Sequence, residues 1–294
     1  MKIIKNTRKD NLVIMEIEEN YSEFETEVEK AITESAKEMK LPGFRPGKAP
    51  RDIVEKNLNR DAIESHAAQE LISNLYPKII EETKMEPVDY PKIEMITLEK
   101  GKPIVVKIEA VVYPEVKLGR YKGIKVEKEK NTQSDEDVKN KLVAEVSSDI
   151  KADIPKAMVD REVEIMLDEF KASLAQSGLK LEDYLKGIKK EESAMKEELR
   201  KSAEIRVKGK LALRAVAEVE KIEVTPADID HELQAVADQA GKTLEEVKKT
   251  VRQDGLGYIV DYLQRRKALD FLVEKAKLVE VESKQEKKEA KTEG

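Results

Sequence analysis

The residues best placed to do chemistry lie in one short loop, 41–50. Phe44 stands there beside Arg45 and Lys48, Arg51 follows immediately, and this stretch contains no acidic residue. An exposed aromatic ring flanked by cations suits docking, because the ring supplies buried area and the cations attract phosphate or carboxylate groups. A second interpretation is that Phe44 packs into the local core and that the cations are only solvated.

Proline and glycine make up half of this loop. It contains three of the ten prolines and two of the twelve glycines in the chain. No helix can continue through it. Its prolines have already lost most of their φ freedom, so ordering the loop costs less conformational entropy than its length suggests. The pattern therefore predicts a short docking tip between two helices.

Residue types that commonly carry catalysis or bind metals are scarce. The chain contains no Cys and two His, His66 and His231, which stand far apart in the sequence. This composition excludes disulfides, cysteine-based zinc sites and thiol nucleophiles, and it disfavours a His-ligated metal or a His-based triad. The acidic residues number 61, so neighbouring carboxylates carry no signal for acid–base catalysis. We predict no catalytic residue, no metal and no cofactor.

Charge and hydropathy indicate the class of protein. The net charge is −6, from 55 basic and 61 acidic side chains, which disfavours DNA as a partner. The first ten residues lack the apolar stretch of a signal peptide, and no segment approaches the roughly 18 apolar residues of a membrane span. We expect a soluble, cytoplasmic protein without a membrane partner.

The elements around the loop predict an α+β domain over residues 1–113. Two short strands precede residue 20, and a capping box at Ser22 and Glu25 then starts an amphipathic helix of about 18 residues. A short helix follows the loop. A longer helix carries apolar residues at every fourth position: Ile63, Ala67, Leu71, Leu75 and Ile79. Two further strands complete a β-β-α-α-α-β-β order.

Beyond residue 113 the patterns predict a linker and then helices. Residues 114–134 are polar and include two glycines, which indicates an extended linker. Residues 135–281 show apolar spacings of three and four, with helix-start signals such as Thr225 and Thr243. We expect an all-α domain with protruding helical arms there. The tail, 282–294, contains eight charged side chains and is predicted to be disordered.

Several parts of the chain resemble the trigger factor family of bacterial ribosome-associated chaperones. Residues 113–116 and 121–124 resemble the interdomain linker of the family, and residues 154–162 and 181–185 resemble its helical chaperone body. The loop matches the family's signature motif at Gly43, Phe44, Arg45, Gly47, Lys48 and Pro50. The similarity extends over nearly the whole chain except the tail.

The resemblance implies where the chain binds. In the family, the Phe and Arg of the loop, and the residue after them, contact protein and RNA of the large ribosomal subunit beside the tunnel exit. Phe44 and Arg45 carry over directly, whereas the third position is Pro46 here, so a charge contact is lost or passes to Lys48. The predicted docking set is Gly43, Phe44, Arg45, Pro46, Gly47, Lys48 and Pro50.

One domain that the family usually carries is missing. Trigger factors have a prolyl isomerase domain of the FK506-binding-protein type between linker and helical body. Only the 23 residues of 131–153 occupy that position here, against roughly 50 for a small domain. No aromatic residue lies between Tyr121 and Phe170, although the isomerase needs an aromatic-lined pocket. We predict that the chain is not an enzyme.

The expected function is that of an ATP-independent chaperone that binds near the tunnel exit and shields nascent polypeptides. A homodimer away from the ribosome is a further expectation. Peptidyl-prolyl isomerase activity is the enzymatic alternative, and an RNA-binding ribosome-assembly factor is the third. Helix residues such as Met195 and Leu199 fit either core packing or contact with unfolded polypeptide, because Met adapts to varied partners.

Overall fold

The computed structural model describes residues 1–39, 44, 50–129, 134–251 and 253–281. Within them the chain divides into two units, of which the first is Met1–Pro114 and the second begins at Glu115. Each unit has hydrophobic clusters of its own. The described helices include none that is both long and apolar enough to cross a membrane.

Unit 1 combines an antiparallel sheet with three helices. The four strands are arranged in the order β1-β2-β4-β3. The elements in chain order are β1 (Lys2–Lys9), β2 (Leu12–Glu19), α1 (Tyr21–Glu38), α2 (Arg51–Asn57), α3 (Arg60–Thr83), β3 (Lys92–Thr97) and β4 (Ile104–Val111). The predicted α+β class and order of elements are confirmed.

The core of unit 1 lies between one face of the sheet and the helices. Alternation along β2 buries Met15 and Ile17 completely, and their cross-strand neighbours on β4 are Ile108 and Val106. The predicted four-residue ladder of α3 is buried, and most of it packs against this face together with Phe24 of α1. The two periodicities in the sequence, two and about four, therefore meet in one core.

The beginning of α1 differs from the prediction. Asn20 occupies the N-cap position, its side chain makes no capping hydrogen bond, and the capping box expected at Ser22 does not form. β2 stays paired up to Glu19, so the chain enters the helix directly at Tyr21. The rings of Tyr21 and Phe24 then pack together, with centroids 5.7 Å apart. Ser22 therefore lies inside the helix, one residue beyond its start, where it cannot serve as the N-cap.

Both edge strands of the sheet contain a register shift. The pairing slips by one residue at Ile4 of β1 and again at Ile96 of β3. Both side chains are exposed. A bulge of this kind leaves one residue unpaired and increases the local twist of the strand.

Unit 2 is predominantly helical. Its described elements are β5 (Lys125–Glu129), α4 (Asp135–Asp149), α5 (Lys156–Gln176), α6 (Leu181–Ile188), α7 (Glu192–Val219), α8 (Pro226–Ala240), α9 (Leu244–Thr250), α10 (Gln253–Lys275) and β6 (Lys277–Val281). α7 is the central helix and packs against α4, α5 and α10. The helix starts predicted at Thr225 and Thr243 are both observed as capping boxes.

The sequence patterns missed a pair of strands in unit 2. The segment predicted as a linker, 114–134, contains β5, and the domain predicted as all-helical, 135–281, ends in β6. These two strands pair in parallel. Local periodicity cannot reveal such a pairing, because the partners lie far apart in the sequence. The charged tail, 282–294, lies outside the described residues.

The segment before β5 lies directly on the helical unit. Lys117 and Lys151 exchange backbone hydrogen bonds, each 3.0 Å long. Gly119 passes so close to the end of α4 that an added Cβ would lie 2.7 Å from the Asp149 carbonyl oxygen. This part of the predicted linker is therefore held by backbone contacts and by the absence of a side chain at residue 119.

Candidate functional site

Two helices hold the predicted docking loop at its ends. α1 ends at Glu38, and α2 begins at Arg51. Pro50 occupies the N-cap position of α2, and its carbonyl oxygen accepts hydrogen bonds from the N–H groups of Ile53 and Val54, at 3.0 and 3.1 Å. Proline fits this place because its own missing N–H is not needed there. The end of the loop thus continues directly into helix geometry.

Phe44 and Pro50 are the members of the predicted docking set that the structure describes. The Phe44 side chain is 38% exposed, and Pro50 is also exposed. An exposed ring favours docking over packing into the local core. The other five members, Gly43, Arg45, Pro46, Gly47 and Lys48, lie outside the described residues. The docking role of all seven stays a prediction.

The charges at the base of the loop are partly paired. The Arg51 guanidinium lies 3.6 Å from the Glu29 carboxylate of α1, and both side chains remain more than half exposed. At the start of α3, Arg60 donates to Glu64 at 2.9 Å. Such exposed pairs add little stability, because water and salt screen them. Arg51 therefore stays accessible while its pair with Glu29 connects α1 to α2.

Sequence reasoning missed a groove beside the loop. α1, α2 and the start of α3 border an open cavity of about 800 Å³, with charged side chains around it and an apolar floor that includes Val28, Ile32 and Leu58. The apolar stripe of α1 at spacings of three and four was a signal for one wall. The groove itself could not be inferred, because it requires three elements to converge.

Ion pairs connect α5 and α7 of unit 2. Arg200 contacts Asp160 at 2.6 Å, and Lys196 contacts Glu164 at 2.7 Å. A small apolar cluster lies between the helices, and it includes partly buried Leu199. The sequence left open whether Met195 and Leu199 pack in the core or contact unfolded polypeptide. Leu199 is a packing residue.

Between the same two helices, a buried carboxylate of α5 is shared by two cations of α7. Glu162 is 3% exposed, and its carboxylate is paired with the Lys210 ammonium and lies 3.4 Å from Arg206. Arg206 also forms a two-pronged pair with Glu169, at 2.8 and 3.1 Å. These hydrogen bonds from Arg206 lower the pKa of Glu169. The cluster compensates the buried charge and fixes the two helices in register.

α8 and α10 run antiparallel, and two ion pairs show their register. Arg266 contacts Glu232 at 3.2 Å, and Lys267 contacts Asp228 at 2.6 Å. Hydrogen bonds from Lys267 and from the capping residue Thr225 hold the pKa of Asp228 well below its usual range. One carboxylate therefore serves both the start of α8 and the attachment of α10.

Both helices also carry exposed apolar side chains close in sequence to these ion pairs. Val236 follows Glu232 by one turn, and Tyr262 precedes Arg266 by one turn. Tyr262 is 40% exposed, and Tyr258, one turn before it in α10, is 67% exposed. We call Val236, Tyr258 and Tyr262 the aromatic patch. Apolar surface surrounded by charge can bind unfolded polypeptide weakly and without sequence preference.

Comparison with known protein families gives matches along most of the chain. The family model described as bacterial trigger factor protein matches residues 1–145, and the model for the trigger factor C-terminus matches residues 118–274. Both agree with the resemblance seen in the motifs, which is therefore confirmed.

Individual relatives extend the match to whole proteins. The trigger factor of Bacillus subtilis is 25% identical, with 93% of this chain and 100% of that protein covered. The trigger factor of Natranaerobius thermophilus is also 25% identical, with 98% and 97% covered. The first alignment runs over 424 residues, more than the 294 of this chain, so the relative contains a stretch without a counterpart here.

A solved structure shares the fold. It belongs to work on promiscuous substrate recognition by the trigger factor chaperone in folding and assembly. The TM-score is 0.55 at 14% sequence identity, and 93% of this chain and 99% of the other are covered. At this identity the likeness concerns architecture alone.

Proposed function

The chain belongs to the bacterial trigger factor family, and we propose that it acts as a ribosome-associated, ATP-independent chaperone in the cytoplasm. The match of both family models, together extending from residue 1 to residue 274, carries this proposal. The chain binds the large ribosomal subunit near the tunnel exit and shields nascent polypeptides while they fold.

Docking is assigned to the loop between α1 and α2. The exposed Phe44 ring supplies apolar contact area, and Arg45, Lys48 and Arg51 supply positive charge toward phosphate or carboxylate groups. Three of its ten residues are prolines, which have already lost most of their φ freedom, so binding costs less conformational entropy than the loop's length suggests. The position of Pro46 leaves Lys48 as the cation that follows Arg45.

Shielding of unfolded chains is assigned to unit 2. The aromatic patch and other exposed apolar residues, among them Ile205 of α7 and Leu179, lie among charged side chains. Such mixed surfaces hold apolar segments weakly, so that a bound polypeptide can leave and fold. A homodimer that covers this surface away from the ribosome belongs to the same proposal.

The chain has no prolyl isomerase activity in this proposal. The two family matches are to the N-terminal and C-terminal parts of the family, and the relatives contain a stretch without a counterpart here. A protease-coupled assay with a proline-containing peptide tests this directly. Acceleration of cis–trans isomerisation above the uncatalysed rate would contradict it.

Co-sedimentation with ribosomes tests the docking assignment. We expect the double substitution Phe44→Ala with Arg45→Ala to weaken ribosome binding by about tenfold or more, because aromatic and Arg side chains dominate such contacts. Tyr90→Ala is the matched control, since Tyr90 is also in unit 1, outside the loop, and is 95% exposed. Equal binding by the double variant and the control would show that the loop is not the docking site.

The salt dependence of the same assay separates the chaperone from an RNA-binding assembly factor. Ribosome binding should weaken as salt is added, because cation–phosphate contacts release counterions. Naked ribosomal RNA should bind much more weakly than intact ribosomes. Equal affinity for both would favour the assembly factor.

A further inference from the structure

The pairing of β5 with β6, which we call the clasp, joins two segments of unit 2 that lie far apart in the sequence. The strands are parallel and five residues long each. Two backbone hydrogen bonds begin the clasp: the Gly123 N–H donates to the Lys275 carbonyl oxygen at 3.2 Å, and the Lys277 N–H donates to the Ile124 carbonyl oxygen at 2.8 Å. Gly123 has a φ of +65°, a backbone conformation that glycine adopts without strain.

The two strands differ in how deeply their side chains are buried. Around β5, Ile124 is 7% and Val126 is 4% exposed, whereas Leu278 and Val279 of β6 are 48% and 43% exposed. The described apolar side chains of β6 are therefore only about half buried, and backbone hydrogen bonds contribute to its attachment. Two-stranded sheets are marginally stable, and parallel pairing is slightly weaker per residue than antiparallel pairing. β6 is accordingly attached to unit 2 less firmly than β5.

The segment before β5 has an anchor that does not involve β6. The Tyr121 hydroxyl donates to Glu220 at 2.6 Å, and the Lys122 ammonium lies 2.7 Å from the same carboxylate at the end of α7. The Lys122 ammonium is also 5.6 Å from the ring centroid of Phe271 on α10, within range of a cation–π interaction. This anchor keeps the chain on the helices even when β6 separates.

We propose that β6 is a releasable strap, which separates from β5 by local opening while the helices of unit 2 stay folded. In the open state β5 loses its hydrogen bonds to β6, and Leu278 and Val279 move away with β6 while Ile124 and Val126 become more exposed. The opened edge of β5, with these two apolar side chains, then offers unfolded polypeptide a further binding surface. This last consequence rests on the proposed chaperone function, whereas the strap itself does not.

Hydrogen–deuterium exchange on the full-length chain tests the strap. Lys277→Pro removes the N–H that donates to Ile124, and Lys277→Ala keeps this N–H and is the matched control. We expect the amides of β5 to exchange about tenfold faster in Lys277→Pro, as for a local opening that has lost one backbone hydrogen bond. The amides of α7 should exchange at the wild-type rate in both variants.

Three outcomes would overturn the proposal. Unchanged exchange of β5 in Lys277→Pro means that β6 does not hold it, and faster exchange throughout α7 means that β6 belongs to the cooperative core. Equal acceleration in both variants assigns the effect to the lysine side chain. The extra apolar surface has its own readout: fluorescence of anilinonaphthalene sulfonate should rise in Lys277→Pro alone, and no rise contradicts that part.

Suppression of client aggregation by the wild-type chain is measured separately. Its absence contradicts the proposed chaperone function and leaves the exchange result on the strap untouched.

Discussion

Gly119 shows how a residue without a side chain fixes the path of a segment. The chain passes the end of α4 at a distance that no Cβ could occupy, because the obstacle is the backbone of Asp149. At Gly187 in α6, an added Cβ would point into open space. The structure therefore has no room for a side chain at Gly119, whereas it has room for one at Gly187.

Substitution of these glycines should change stability in opposite directions. We expect Gly119→Ala to lower the free energy of unfolding by about 1–3 kcal/mol, because backbone must move to make room. Gly187→Ala should leave it unchanged or raise it by up to about 1 kcal/mol, since alanine favours the helix. Urea unfolding followed by circular dichroism measures both. Equal stability of the two variants would contradict the close approach at residue 119.

Glu220 makes the anchor of the linker sensitive to acid. Hydrogen bonds from Lys122 and Tyr121 lower the pKa of its carboxyl group from the usual 4.5. A carboxyl whose pKa is lower in the folded state stabilises the fold above its unfolded pKa. That contribution is lost as the pH falls from 4.5 through the lowered value.

The substitution Glu220→Gln should remove this acid sensitivity. We expect the melting temperature of the variant to be lower than wild type at pH 7. The difference should shrink as the pH falls below 4.5, because the wild-type carboxylate then becomes protonated. Thermal melts between pH 7 and pH 3 measure the two curves. Parallel curves over this range would show that Glu220 contributes no pH-dependent stability.

At the scale of helices and strands, local signals in the sequence were sufficient for some elements and not for others. The ladder of α3 and the caps at Thr225 and Thr243 involve residues within a few positions of one another, so their pattern predicts them. The capping box predicted at Ser22 was wrong, because β2 stays paired up to Glu19 and α1 already begins at Tyr21. The clasp and the groove form only when separate elements come together, so no local pattern predicts them.

The same division holds for the site. Proline, glycine and cation content predicted a docking loop, in which Phe44 is exposed. The docking role of this loop stays a prediction, and the aromatic patch was not predicted. Its members lie on two helices, and the ion pairs between α8 and α10 show that these helices are adjacent. Sequence reasoning could have found the i, i+4 spacing of Tyr258 and Tyr262 but not their exposure.

The aromatic patch should bind unfolded polypeptide. We expect the double substitution Tyr258→Ser with Tyr262→Ser to weaken suppression of client aggregation about fivefold, because two aromatic contacts are lost. The melting temperature should stay nearly unchanged, since both rings are exposed. Light scattering of a refolding client measures the effect, with Tyr90→Ser as the control. Wild-type suppression by the double variant would place client binding elsewhere.

At the scale of the molecule, the chain divides into two units, and unit 1 has a hydrophobic core of its own. Unit 1 contains a complete four-stranded sheet whose core includes residues from both ends of the segment, on β2 and β4. Folding of such a unit depends on contacts inside it. Separate cores also allow docking and shielding to be assigned to different units.

A fragment of residues 1–114 should therefore fold and bind ribosomes. We expect a cooperative thermal transition by circular dichroism and ribosome affinity within about tenfold of the whole chain, since the loop supplies most of the contact in the proposal. Phe44→Ala in the fragment should weaken binding as it does in the whole chain. A fragment without a cooperative transition would show that unit 1 requires unit 2 for stability.

The bulges at Ile4 and Ile96 have a consequence for a protein that handles unfolded chains. A regular edge strand is a template on which an extended segment can add and then recruit further copies, as in cross-β growth. In unit 1 both edges are interrupted, and β1 also carries three lysines, Lys2, Lys5 and Lys9. The bulges and the lysines make this sheet a poor template for the addition of an extended segment.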